Sequence, residues 1–129
     1  MGGRMRVVTK FGGTSLGSGD RIDRAANSIA GAVDAGHEVA VVASAMGNTT
    51  DELLEDINYE ASDADRAEIV SMGERTSVRM LKGALAARGV EAVFLEPGSE
   101  DWPIITDEFG EVDVEETTRR AQKLADQMH

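Results

Sequence analysis

The chain has 129 residues, enough for one domain that buries roughly two thirds of the surface its unfolded form exposes. Its 24 Asp and Glu against 13 Lys and Arg give a formal charge of −11, which argues against nucleic acid as a partner, and the absence of cysteine excludes disulfides and thiolate metal sites. No apolar run approaches the roughly 20 residues of a membrane span and residues 1–4 lack a signal-peptide core, so a soluble, cytoplasmic protein with no membrane partner is expected.

The carboxylates are spread from Asp20 to Asp126, and only Lys10, Lys82 and Lys123 are lysines. A distributed acidic surface of this kind resembles proteins of salt-loving organisms, in which salt screens the self-repulsion; ordinary mesophilic acidity is the alternative.

Residues 5–9 read as a first strand and lead into Lys10-Phe11-Gly12-Gly13-Thr14-Ser15, with further glycines at 17 and 19. Gly12 and Gly13 permit backbone conformations that let several N–H groups converge on one oxygen-rich ligand. Lys10 adds a point charge, Thr14 and Ser15 add hydroxyls, and the positive end of the next helix points at the same spot. A phosphate cradle and an ordinary tight strand-to-helix turn both satisfy the glycines. The Walker pattern is excluded because Ser18 and Gly19 follow Gly17, and the dinucleotide pattern because Ile22 stands where its third glycine belongs.

Ile22, Ala25, Ala26, Ile29, Ala30 and Val33 have helical spacing, which predicts an amphipathic helix over about 18–35 ended by Gly36. The apolar run 39–43 then suits a central parallel strand buried on both faces. Strand, helix and strand together make a right-handed crossover. Directly after the second strand comes Ser44-Ala45-Met46-Gly47-Asn48-Thr49-Thr50-Asp51, on the carboxyl edge where ligands collect in open parallel sheets. Thr49 and Glu52 are spaced as a capping box for a helix carrying Leu53, Leu54 and Ile57, which leaves Ser44 and Thr50 free to face a substrate.

Residues 58–65 form a polar connection inside the domain. A long helical pattern follows over about 63–88, stopped by Gly89, and it contains Ser71-Met72-Gly73-Glu74-Arg75. A helix-interior glycine costs about 1 kcal/mol relative to alanine, so either the helix breaks at Gly73 or something approaches its backbone. Glu74 is a candidate site carboxylate, or else a surface residue paired with Arg75 and Arg79. Residues 90–95 read as a third strand, Glu96-Pro97-Gly98 as its turn, and 104–106 with 112–114 as a small hairpin around an acidic loop. Trp102 is expected in core packing, with a sheet-edge or oligomer contact as the other possibility. Residues 114–128 begin with Glu115 and Glu116 and carry Arg119, Arg120 and Lys123 later, a charge order suited to a helix dipole. No carboxylate spacing selects a metal site.

Four segments together resemble the aspartate kinases of the amino-acid kinase family: residues 10–15, 44–51, 71–75 and Ile104-Ile105-Thr106-Asp107. The resemblance implies an α/β fold, a three-layer αβα sandwich with a mainly parallel sheet like that of carbamate kinase. It implies transfer of the γ-phosphate of ATP to the side-chain carboxylate of L-aspartate, opening synthesis of lysine, threonine and methionine, with Mg²⁺ bound mainly through the nucleotide. By position, Lys10 matches the catalytic lysine that stabilises charge on the phosphoryl group. Gly12 and Gly13 match the backbone cradle, with Thr14 and Ser15 lining the same ATP-binding loop. Ser44 and Thr50 match positions near the substrate, and Glu74 matches a carboxylate that contacts it. The family's later glycine-rich segment, with an arginine, a serine and an aspartate of the active site, has no counterpart among residues 1–129, and neither have its regulatory domains. An incomplete, amino-terminal, substrate-side portion of the kinase domain is therefore expected, one that binds ATP poorly and catalyses little by itself. Uncovered surface then calls for a homo-oligomer or the missing carboxyl-terminal half as partner. A sibling kinase acting on glutamate or carbamate, and a non-catalytic amino-acid-binding or regulatory half-domain, are the competing functions.

Overall fold

The computed structural model describes residues 3, 5–12, 19–45, 47 and 49–128. The chain divides into two compact units, Met1–Phe94 and Leu95–His129.

The first unit is built on a β1–α1–β2 crossover. Strand β1 (Arg6–Phe11) and strand β2 (Glu38–Ala43) pair in parallel, with Arg6 opposite Glu38 and Phe11 opposite Ala43. Between them, helix α1 (Gly19–Asp34) presents Ile22, Ala25, Ala26, Ile29 and Ala30 as one buried stripe. The alanines keep that stripe shallow, so the helix lies close to the strands. The helix ends as its sequence demands: Gly36 takes φ +93°, a conformation that favours glycine, and the amides of Gly36 and His37 cap the carbonyls of Val33 and Ala32.

Helix α2 (Thr49–Asp56) and the long helix α3 (Asp63–Ala86) follow. Because α2 begins at Thr49, that residue is the first of the helix and not the preceding capping residue; position 48 lies outside the described residues. Ile57 falls just beyond the helix end. Ser62 caps α3 by accepting a hydrogen bond from the Asp65 amide at 3.1 Å, and Gly89, with φ +76°, closes it. One side of α3 carries Gly73, Ser77, Leu81 and Leu85 at four-residue spacing, all buried. Leu81 and Leu85 join Ile22, Ala25, Ala26 and Ile29 in the core, and Phe11, Val39, Val41 and Ala43 of the strands pack against this cluster. Each such leucine or isoleucine taken out of water contributes about 1.5–3 kcal/mol.

Two expectations for the sheet are corrected. Residues 90–95 form no strand: Val90 and Ala92 reach the core cluster while Glu91 and Val93 point away, as in a strand, but no ladder pairs them among the described residues. Alternation alone seats side chains, whereas a strand also needs a hydrogen-bonding neighbour. Strand β2 is not buried on both faces either. The helical layer of α1 and α3 covers one face of the sheet; on the other, Val8 is 75% and Val42 54% exposed. Within the described residues the architecture is an incomplete α/β fold of the expected class, with one helical layer on a short parallel sheet.

The second unit pairs an antiparallel bridge, Thr106 with Val112, to helix α4 (Val114–Gln127). The expected hairpin is reduced to this bridge because Val114 is already helical and Asp113 caps the helix, its Oδ1 accepting from the Glu116 amide at 3.1 Å. Asp107 Oδ1 accepts from the amides of Phe109 and Glu111 and so folds the acidic loop on itself. Before it, the turn at Gly98 forms as expected, with the Ser99 amide donating to the Glu96 carbonyl at 3.1 Å. Trp102 is half-buried, and its carbonyl accepts from Arg120 Nη1 at 3.3 Å.

Candidate active site

The expected site lies at the carboxyl edge of the β1–β2 pair. Period-two alternation places Lys10 and Gly12 on the sheet face opposite Phe11, and extending the parallel register one step brings Gly12 opposite Ser44. The distances agree with that placement. A Cβ built on Gly12 would stand 3.6 Å from Ser44 Oγ, and the Ser44 amide donates to the Phe11 carbonyl at 3.1 Å. Lys10 is exposed and Ser44 half-buried, so a cationic side chain and a hydroxyl share the uncovered face of the sheet near its edge.

The loop after β2 is held from the other side by α3. Gly73 is buried, and a Cβ added there would stand 3.1 Å from both the Cβ of Ala45 and Cγ2 of Thr49. The helix therefore does not break at its glycine; it runs unbroken and uses the missing side chain to admit residues 45 and 49. Glu74 follows, exposed and about 100° further round the helix. Thr50, half-buried, is the second residue of α2. Thus Gly12 and Ser44 meet directly, and the Gly73 contacts tie the Ser44 loop and the start of α2 to the turn of α3 that bears Glu74. Gly13, Thr14 and Ser15 lie outside the described residues.

Two residues in this unit escaped the sequence reading. Ser77, one turn after Gly73, is fully buried, and its hydroxyl has no hydrogen-bond partner among the described residues. Its four-residue spacing from Gly73, Leu81 and Leu85 was the available signal. Arg88 had none, since its partners lie more than sixty positions away in sequence on α1. Arg79 lies over the Phe94 ring, 4.5 Å from its centroid, and so fastens residue 94 to α3.

A strongly shifted acid belongs to the second unit. Hydrogen bonds from Arg119 and then Arg120, with their positive charges, lower the Glu116 carboxyl from 4.5 to about 2. Glu116 sits in the first turn of α4 with both arginines one turn on, a helix-surface pairing. Among the described residues no group of three or more His, Asp or Glu side chains is placed to hold a metal ion. No helix among them is long and apolar enough to cross a membrane.

The sequence model of the amino acid kinase family matches residues 5–129. The chain is 42% identical over 92 residues to an aspartokinase of Geobacillus stearothermophilus, covering 69% of this chain and 23% of that one. It is 36% identical over 115 residues to an aspartokinase of Corynebacterium glutamicum, covering 87% and 27%. Among solved structures, the aspartate kinase from Synechocystis superposes with a TM-score of 0.64 at 35% identity, over 70% of this chain and 16% of that one. The chain thus spans about a quarter of the length of the curated relatives it matches.

Proposed function

The chain belongs to the amino acid kinase family, and on that premise we propose that residues 1–129 are the amino-terminal, substrate-side portion of an aspartate kinase domain. The reaction transfers the γ-phosphate of ATP to the side-chain carboxylate of L-aspartate. The carboxylate oxygen attacks the γ-phosphorus, a new P–O bond forms, the bond to the bridging oxygen breaks, and ADP leaves. No general base is needed, because an aspartate side chain with an ordinary pKa of about 3.9 is already ionised at neutral pH. Such a transfer depends on positioning and on neutralising charge spread over the phosphoryl oxygens.

Lys10 supplies that charge from the carboxyl end of β1, and the backbone at Gly12 and Gly13 approaches the phosphate, with Thr14 and Ser15 along the same loop. Ser44 and Thr50 hold the aspartate from one side, and Glu74 receives its α-ammonium from the other. What supports this most directly is the 3.6 Å approach of the Gly12 position to Ser44, which joins the phosphate loop and the substrate loop at one sheet edge. Mg²⁺, where it accompanies the nucleotide, would supply further positive charge to the phosphates. The described residues do not assemble a carboxylate or imidazole set for it, so none is assigned as a ligand. Much of the nucleotide pocket comes from outside residues 1–129, and these residues alone bind ATP poorly and turn over little.

The test is a chimaera in which residues 5–129 replace the matching segment of the Corynebacterium glutamicum aspartokinase. Hydroxylamine traps the acyl phosphate as a hydroxamate. Aspartate-dependent product is expected, with glutamate a poor substitute, and Lys10→Ala or Glu74→Ala should lower turnover at least a hundredfold. A chimaera that folds but prefers glutamate, or one indifferent to both substitutions, would contradict the assignment.

A further inference from the structure

Gly73 is a buried glycine in the interior of a 24-residue helix, where glycine is unfavourable, and its φ does not require it. Its neighbours supply the reason. Heavy atoms of Ala45 and Thr49 stand 3.1 Å from where its Cβ would be, closer than nine in ten such contacts. The contrast lies on the same helix: a Cβ at Gly83 would meet nothing within 4 Å. The two residues pressed against Gly73 directly flank Ser44 and Thr50, and Glu74 is the next residue of α3.

We infer that Gly73 is a positioning residue: its missing side chain sets the gap between the turn of α3 that carries Glu74 and the facing residues, Ser44 and Ala45 after β2 and Thr49 and Thr50 at the start of α2, and that gap is the width into which an amino acid with a side-chain carboxylate fits. Gly73 touches no substrate. It acts through Ala45 and Thr49, whose backbones carry the neighbouring Ser44 and Thr50. An added methyl forces the facing atoms back by a few tenths of an ångström, and both facing residues are short, so neither can swing a flexible chain end aside. The displacement passes to the loop backbone, and a ligand held from both sides loses contact with one of them. This rests on the substrate assignment above for the identity of the ligand, while the packing role stands on the contacts alone.

The experiment uses the 129-residue chain and four variants: Gly73→Ala, Gly73→Ala with Thr49→Ser, Gly73→Ala with Thr49→Ser and Ala45→Gly, and Gly83→Ala as control. Backbone amide spectra report the loop, and titration with L-aspartate reports the site. Gly73→Ala should move the amides of residues 44, 45, 49 and 50 and raise the aspartate dissociation constant about tenfold. Removing Cγ2 of Thr49 should restore part of both effects, and trimming Ala45 as well should restore more. Gly83→Ala, the same chemical change in open space, should leave loop and affinity alone. Unmoved loop amides in Gly73→Ala, or failure of both trims to recover them, would overturn the inference. If Gly73→Ala does not fold, Gly73→Ala with both trims must fold; failure there also overturns it. An unsubstituted chain that ignores aspartate while its loop still moves and recovers would uphold Gly73 as the spacer and count against aspartate as the ligand.

Discussion

Replacing Arg88 asks whether the end of α3 is fastened to α1 by directional bonds or by packing alone. Its side chain is 23% exposed; Nε donates to Asn27 Oδ1 at 2.7 Å, Nη2 to Asp23 Oδ1 at 3.1 Å, and Nη1 to the Ala84 carbonyl at 2.9 Å. Asp23 is largely solvated, so that ion pair contributes only about 0.5 kcal/mol. The bond to Asn27 is assisted by the cation's charge and contributes about 1 kcal/mol. The bond to a carbonyl in the last turn of α3 adds about 0.5 kcal/mol. Arg88→Ala should therefore lose about 2 kcal/mol, a fall of roughly 8–16 °C in Tm for a unit of this size. Arg88→Lys should lose about half as much, because an ammonium keeps a charge near Asp23 but lacks the planar fork that reaches acceptors on three residues. Urea unfolding followed by helical circular dichroism measures both, with an unchanged denaturant slope showing that the unfolded state is not what moved. An Arg88→Ala chain within about 0.5 kcal/mol of the parent, or a lysine variant equal to it, would show that packing alone holds the two helices together.

Ser77→Ala should raise stability by about 1 kcal/mol, since it removes a buried hydroxyl without a described partner and improves helix propensity; a loss in thermal melts would show that the hydroxyl is bonded. Glu116 has a folded pKa of about 2 against an ordinary 4.5, so its contribution to α4 is fully present above about 4.5 and is lost as pH falls through about 2. A carboxyl carbon titration should find that low midpoint, and Arg119→Ala should move it upward; an unmoved midpoint would remove Arg119 as the cause. With a formal charge of −11, the chain should melt at higher temperature as sodium chloride rises from about 0.05 to about 1 M, because the screening length falls from more than 10 Å to about 3 Å. A flat or falling melting curve would mean that its carboxylates do not repel one another appreciably.

What the sequence made legible was local. The stripe from Ile22 to Val33 and the stop at Gly36 located α1 to within a residue, because periodicity and a left-handed glycine are properties of adjacent positions. At Gly73 the sequence posed the right alternative, a break or a close approach, but only the fold could say that residues 45 and 49 make the approach. Residues 90–95 show the limit from the other direction: their alternation is real and seats Val90 and Ala92 inward, yet pairing depends on a neighbour that the alternation does not name. Lys10, Gly12 and Ser44 were legible as site candidates because β1 and β2 end in polar, glycine-bearing segments on the same sheet edge. Arg88 was not, since an arginine near a helix end has many possible partners and its own lie across the fold.

The parallel pairing of β1 with β2 also bears on how the chain is made. Arg6 pairs with a residue 32 positions further along the chain, and every rung of the ladder has the same offset. No turn between neighbouring residues can start such a sheet; α1 must form and fold back first. At synthesis rates of about 5–20 residues per second, β1 waits a few seconds after emerging from the ribosome before its partner strand exists. During that interval Val7, Val8 and Phe11 lack the partner strand and helices that later flank β1, so a chaperone that binds short extended apolar stretches would have access to β1 before the rest of this unit has formed.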